Sequence, residues 1–298
     1  MIILNEKEYA EERLKNNDIG ENPYTTLVIL SKYYYHKRGY KKKKIATLLF
    51  EFLHKTYLTD SMNVSSWQDT IDKLANRAKN QQLYEISGIR ITKTEMNIIE
   101  KIEDETLQRL LFTMLCIAKL NNMKNPNNNG WVNTDAKDLF NYARISCRAT
   151  KRDDYIGQLW EMGLLEFPKR IDNLNIRVTF INDEDTNEAL FVYDFRELGY
   201  EYLLYKGENF IRCAECGILV RGNKNGTKRY CKSCIAYTPK RFKTIVCVDC
   251  GDTLTISSYN TKSCRCAECQ KIADREKARL RVQKQRNGML RQPSNDDS

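Results

Sequence analysis

Cys213-Ala-Glu-Cys216-Gly217 and Cys231-Lys-Ser-Cys234, then Cys247-Val-Asp-Cys250-Gly251 and Cys266-Ala-Glu-Cys269, decide how the C-terminal third of this chain folds. Nine of the eleven cysteines fall within these 57 residues. A C-x2-C pair places two thiolates on one tight turn, and two such turns facing each other complete a tetrahedral S4 site. The second cassette repeats the first at an offset of 34 to 35 residues, so the spacing predicts two tandem zinc ribbons, each holding one structural Zn2+. Gly217 and Gly251 directly follow the second cysteine, where a knuckle needs positive φ to turn its amides toward the thiolates. Ile218–Arg221 and Thr253–Ser257 read as short strands, and Gly222–Gly226 as a tip turn. Cys264 is the expected spare; the alternative, Cys264 as ligand in place of Cys266, would leave a C-x4-C arm.

Four thiolates saturate a zinc ion, whereas a catalytic zinc keeps an open position for water. A rubredoxin-like iron site shares the spacing, but no partner cofactor motif accompanies it. The chain has only two histidines, His36 and His54, too few for a histidine-metal nuclease or a deaminase. There is no phosphate-binding P-loop, no dinucleotide fingerprint and no G-x-S-x-G. The reading is a non-enzyme with no small-molecule substrate. Cys116 and Cys147 lie in apolar helical contexts and are expected to be small buried hydrophobes.

Charge is unevenly placed. Residues 206–291 hold 20 Lys+Arg against 7 Asp+Glu, while residues 1–205 hold 29 against 30. The local surplus of 13 falls to about +9 once each Zn(Cys)4 unit contributes −2, which still points to a polyanion. After Cys269, Lys271, Arg275, Lys277, Arg279, Arg281, Lys284 and Arg286 lie on helix-forming sequence without an apolar stripe. At the ribbons, Arg221, Lys224, Lys228 and Arg229 stand beside Tyr230, and Lys240 and Arg241 fall at the ribbon junction. Such side chains clamp phosphates with strong salt dependence and little sequence choice. DNA is the expected partner. RNA, stacked on Tyr230, Tyr237 and Phe242, is one alternative; a host protein such as RNA polymerase or a defence protein is the other. A membrane surface is disfavoured, because the tail lacks a Trp/Phe/Leu face to insert. With neither a basic-then-apolar leader nor an apolar run of roughly 18–20 residues, the chain is expected in the cytoplasm.

Upstream, Thr25–Tyr35 and Lys44–Tyr57 carry helical periodicity, joined by Gly39 and the solvated basic run Lys37, Arg38 and Lys41 to Lys44. Ser65–Asp69 opens a further helix through a serine cap and an acidic first turn. Helices over Glu105–Asn121, from an Asn133-Thr134 cap to Tyr142, and over Arg148–Met162 precede strands at Leu164–Phe167 and Asn175–Ile181, the order of a winged helix. Ile156, Leu159 and Trp160 are expected to face the core, Lys169, Arg170 and Arg177 to mark the wing, and residues 189–196 to supply one more strand. The fold class is therefore mainly α with small β. A helical domain spans 1–100, a winged-helix-like domain 101–205, zinc ribbons 206–241 and 242–270, and a basic helix with its tail 271–298.

Two resemblances accompany this reading. Leu27-x2-Leu-Ser-Lys-Tyr-Tyr, Arg38-Gly39-Tyr40 and Trp67-x-Asp-x-Ile resemble the helical module at the C-terminal side of archaeo-eukaryotic-type primases of phages and plasmids, over residues 21–82. The ribbon and basic helix, with Asn127–Thr134 and Asp194–Gly199 upstream, resemble uncharacterised proteins of phages and integrated elements of Gram-positive bacteria. That group implies a mobile-element setting and no specific activity; two ribbons here stand where one is usual.

Overall fold

Asn5 and Asn22 each accept a hydrogen bond from the backbone three residues on, and so start α1 (Glu6–Asn16) and α2 (Pro23–His36). Pro23 occupies the first turn of α2, where its missing N–H is no loss. α3 (Lys42–Thr56) and α4 (Gln68–Arg77) complete the N-terminal group, which buries Leu27, Leu30, Tyr33, Ile45, Leu49 and Ile71 in one cluster. α4 is entered through a 3-10 turn, Val64–Trp67. Its N-cap is therefore Trp67, without a side-chain cap, and not the serine read from the sequence.

This computed structural model describes residues 2–56, 64–168, 175–235, 242–257 and 264–289. The chain divides into two units, residues 1–231 and 232–298.

A second core forms around a central helix. β1 (Ile89–Thr92) runs into α5 (Lys93–Glu100) through a capping box, in which the Thr92 hydroxyl accepts from Glu95 N–H and the Glu95 carboxylate accepts from Thr92 N–H. α6 (Glu105–Lys124) follows, capped by Asp104 and buried on nearly every side between Leu107 and Leu120. β1 and α5, grouped with the N-terminal helices on sequence, pack instead with α6 through Ile89, Ile91, Met96 and Ile99. Next come β2 (Trp131–Val132), α7 (Ala136–Tyr142), α8 (Ala149–Glu161), β3 (Leu165–Glu166) and β4 (Ile176–Val178). The three strands form one antiparallel sheet in the order β2-β4-β3. Asp135 caps α7, accepting from Lys137 N–H, in place of the expected Asn133-Thr134.

Trp160 does not face the core as its sequence context suggests. Ile156 and Leu159 are buried, but Trp160 is 51% exposed, because it lies one residue and about 100° round the helix from Leu159. Its ring sits against Phe167, 6.2 Å away. Arg177 is also accounted for locally, donating to Glu166 and to the Asn129 carbonyl. Lys169 and Arg170 lie outside the described residues.

β5 (Glu188–Val192) is the additional strand expected within 189–196, and it pairs antiparallel with β1, Ile89 opposite Val192. α9 (Leu198–Tyr205), β6 (Phe210–Arg212) and β7 (Leu219–Arg221) complete the first unit, with Tyr202, Phe210 and Leu219 entering the second core. The second unit contains α10 (Lys232–Ile235), the antiparallel pair β8 (Phe242–Val246) and β9 (Thr253–Ser257), and α11 (Ala267–Met289). Among the described residues no helix is long and apolar enough to cross a membrane.

Candidate metal centres and basic surface

Each cassette gathers its four sulfurs as the spacing predicts. Cys213, Cys216, Cys231 and Cys234 lie within 4.8 Å of one another, and so do Cys247, Cys250, Cys266 and Cys269. A tetrahedral ZnS4 unit with bonds of about 2.3 Å needs sulfurs about 3.8 Å apart. Cys216 and Cys231 are 3.8 Å apart, as are Cys250 and Cys266. The donor set fits zinc, and each group can hold one structural ion.

The backbone builds both centres the same way. Cys213 N–H donates to Ile218 O at 2.9 Å and Cys247 N–H to Asp252 O at 2.8 Å, closing the first knuckle of each ribbon. Gly217 and Gly251 take φ of +70° and +77°, as their positions require. From the facing knuckle, Cys231 N–H reaches Cys213 Sγ and Cys266 N–H reaches Cys247 Sγ, each at 3.2 Å. These amides stabilise thiolate charge. Burial raises the Cys213 thiol, but amides of Cys216, Cys231 and Glu215 outweigh it and bring the pKa to about 6. Amides of Cys250, Cys266 and Asp249 bring Cys247 to about 6 as well. Cys269 is pushed up to about 11, first through its hydrogen bond with Cys266. The Asp252 amide lowers Cys250, but its thiol contacts with the Asp252 carboxylate and Cys247 prevail and raise it. A bound dication favours the thiolate form of its cysteine ligands.

Cys264 stays outside the sulfur group and serves through its backbone, its carbonyl accepting from Val248 N–H at 3.0 Å. Cys116 is fully buried, and Cys147 packs partly buried against the second core.

The first ribbon is tied into the core by contacts the sequence signalled only through its resemblance segment. Arg196 forms a two-pronged pair with Asp194 and donates from Nη2 to the Cys216 carbonyl at 3.0 Å. Glu197 pairs with Arg144. A Cβ on Gly199 would stand 2.0 Å from the Ala143 carbonyl oxygen, so only glycine fits there. Arg212 donates to both oxygens of Glu201 at 2.8 Å. The Phe210 ring lies 4.7 Å from Tyr200. Within the second ribbon only Cys247 is buried among the described residues, while Val246 and Val248 are 61% and 64% exposed.

The expected phosphate-binding residues fall into three groups. Arg221 pairs with Glu208 at 3.0 Å and lies over Phe210, and Lys228 donates to the Arg221 carbonyl, so these two are engaged within the ribbon. Lys224 and Arg229 are exposed, with no ion pair among the described residues. Lys240, Arg241 and Tyr237 lie outside the described residues. On α11, Lys271, Arg275, Lys277, Arg279, Arg281 and Lys284 are all exposed and free of ion pairs among the described residues. Arg286 lies on the same helix, its side chain outside them. At 100° per residue, Lys271, Arg275 and Arg279 form one row, and Lys277, Arg281 and Lys284 another on the opposite flank. His36 is turned to the Gln81 carbonyl, and among the described residues no metal-ligand group exists beyond the two cysteine sets. No protein-family model matches this chain, and neither does any curated protein or solved structure.

Proposed function

We propose that this chain is a non-enzymatic, zinc-dependent DNA-binding protein whose C-terminal helix clamps the phosphate backbone, in an accessory role in replication or transcriptional control of a phage or mobile element. One observation carries the reading. α11 is 23 residues long, holds seven cations against three acids, and exposes every described side chain from Lys271 to Gln285 except Ala273. A helix with no buried face gains little from packing, whereas two opposed basic rows suit phosphates on two strands. At 1.5 Å per residue it extends about 34 Å, the length of roughly ten base pairs. In the middle of the chain, the sheet order β2-β4-β3 with α6, α7 and α8 supports reading residues 105–178 as a winged helix.

The test is anisotropy of a labelled 20-base-pair duplex across a salt series, on protein of measured zinc content. The parent protein should bind with a steep salt slope. Replacing Lys271, Arg275, Lys277, Arg279 and Arg281 by glutamine should flatten that slope by about 4.5, at roughly 0.9 for each phosphate no longer neutralised. Two bound zincs with no affinity for DNA at low salt would sink the reading. A second reading, docking on a host protein, rests on the exposed apolar group Trp160, Met162 and Phe167 at the α8–β3 junction. Binding there would be nearly indifferent to salt.

A further inference from the structure

The turn between α2 and α3, together with the start of α3, carries six cations in eight positions: Lys37, Arg38 and Lys41 to Lys44. No acidic residue lies between Glu21 and Glu51 to balance them. Lys37 pairs with Glu85, whose carboxyl it holds below the ordinary range. The other five have no ion pair among the described residues, and Arg38 rests over the Tyr33 ring at 5.5 Å. Three of them, Lys42 to Lys44, stand in the first turn of α3, and that turn holds no acid. Cations there oppose the helix dipole and repel one another, so the stability of the fold does not account for them.

The turn is also held in place. Tyr40 N–H donates to Tyr34 O and Gly39 N–H to Tyr35 O, both at 3.1 Å, with Gly39 at φ +66°. Behind it, Ile45 and Leu49 anchor α3 in the core. Beside the cations, Tyr35 and Tyr40 expose 38% and 37% of their surface.

We infer that this turn is a second nucleic-acid contact, on the first unit, taking the phosphodiester backbone of a single strand on Arg38 and Lys41 to Lys44 and stacking bases on Tyr35 and Tyr40. Clustered cations with neighbouring aromatic rings are the recurrent means of binding an unpaired strand. An anionic lipid surface fits less well, because the apolar residues of α3 pack on the core, Ile45, Leu49, Phe52 and Leu53 buried and Leu48 and Phe50 partly so, rather than forming an exposed apolar face. The inference does not depend on α11 binding DNA.

The experiment compares the full chain with the variant Arg38→Gln, Lys41→Gln, Lys42→Gln, Lys43→Gln, using a labelled 20-mer of oligodeoxythymidylate. Affinity at low salt should fall at least tenfold, and the salt slope should flatten by about 2 to 3, at roughly 0.7 for each phosphate released. The melting temperature should hold or rise, since the changes relieve repulsion. Unchanged affinity and slope would overturn the inference, and so would loss of binding together with a fall in melting temperature. Retained oligonucleotide binding with lost binding to phosphatidylserine vesicles would overturn it in favour of lipid. A variant neutralised only on α11 separates the two sites: if it binds DNA as the parent does while the turn variant does not, the tail reading fails alone.

Discussion

The Arg196 guanidinium holds Asp194 at 2.7 Å and donates to the Cys216 carbonyl at 3.0 Å, so a residue anchored at the central core grips the first zinc knuckle. Charge-assisted hydrogen bonds of this kind are stronger than neutral ones. Replacing Arg196 by alanine should cost about 1 kcal/mol locally. Zinc release from the first ribbon to a colorimetric chelator should become several-fold faster, with the second site unchanged. Equal release from both sites would show that Arg196 does not brace the knuckle.

The two ribbons should respond differently to loss of metal. In the first, Phe210 and Leu219 are buried in the second core, so β6 and β7 have support besides zinc. In the second, only Cys247 is buried among the described residues, and metal binding must supply the folding free energy. Chelation should therefore abolish amide protection across Phe242–Ser257 while leaving Phe210–Arg221 largely protected. Hydrogen exchange with and without a strong chelator reads this directly, and simultaneous loss of both would refute it. Cys250→Ser should lower zinc content from two to one per chain and unfold the same segment.

The metal centres were legible because ligand spacing is local: two C-x2-C pairs and a following glycine specify a knuckle without reference to the rest of the chain. The helices of the N-terminal group and of the middle were legible through the 3.6 period, as at Ile45, Leu49 and Phe52. What escaped was non-local. β1 pairs with β5 across about a hundred residues, Ile89 opposite Val192, and four residues ending in a helix cap show no strand alternation. β6 and β8 were missed because short ribbon strands owe their pairing to the knuckle beside them. Trp160 was misplaced because an aromatic adjacent to a buried leucine looks like core until the helix phase is set by Ile156 and Leu159. The basic rows of α11 could be read from sequence, but Arg221 and Lys228 are engaged by neighbours, Glu208 among them, that no spacing rule reveals.

Gly199 and Gly157 give opposite expectations for the same substitution. At Gly199 a Cβ would meet backbone, the Ala143 carbonyl at 2.0 Å, which cannot rotate away. Gly199→Ala should destabilise the first unit by about 3 kcal/mol, the upper part of the usual overpacking range. Gly157, inside α8, has open space around the same position. Gly157→Ala should stabilise by about 0.5–1 kcal/mol through helix propensity. Urea unfolding of both variants, with the second unit's zinc unchanged, checks the contrast. Similar effects from the two would mean that the loop before α9 can shift.

Asp185 sets an acid-sensitive lock on the loop between β4 and β5. Its carboxylate accepts from Asn187 N–H at 2.9 Å, from the Thr94 hydroxyl at 2.9 Å and from Thr94 N–H at 3.3 Å. These bonds, the Asn187 amide first, hold its pKa at about 2 against an ordinary 3.8. A folded-state value below the unfolded one means that the contribution is fully present above about pH 4 and is lost as pH falls toward 2. Asp185→Asn should therefore be less stable than the parent at neutral pH, with the gap closing between pH 4 and 2. Denaturant midpoints for both proteins, measured at matched pH, isolate this group from every other titrating carboxylate. A gap that stays constant down to pH 2 would show that the charge of Asp185 contributes nothing to the lock.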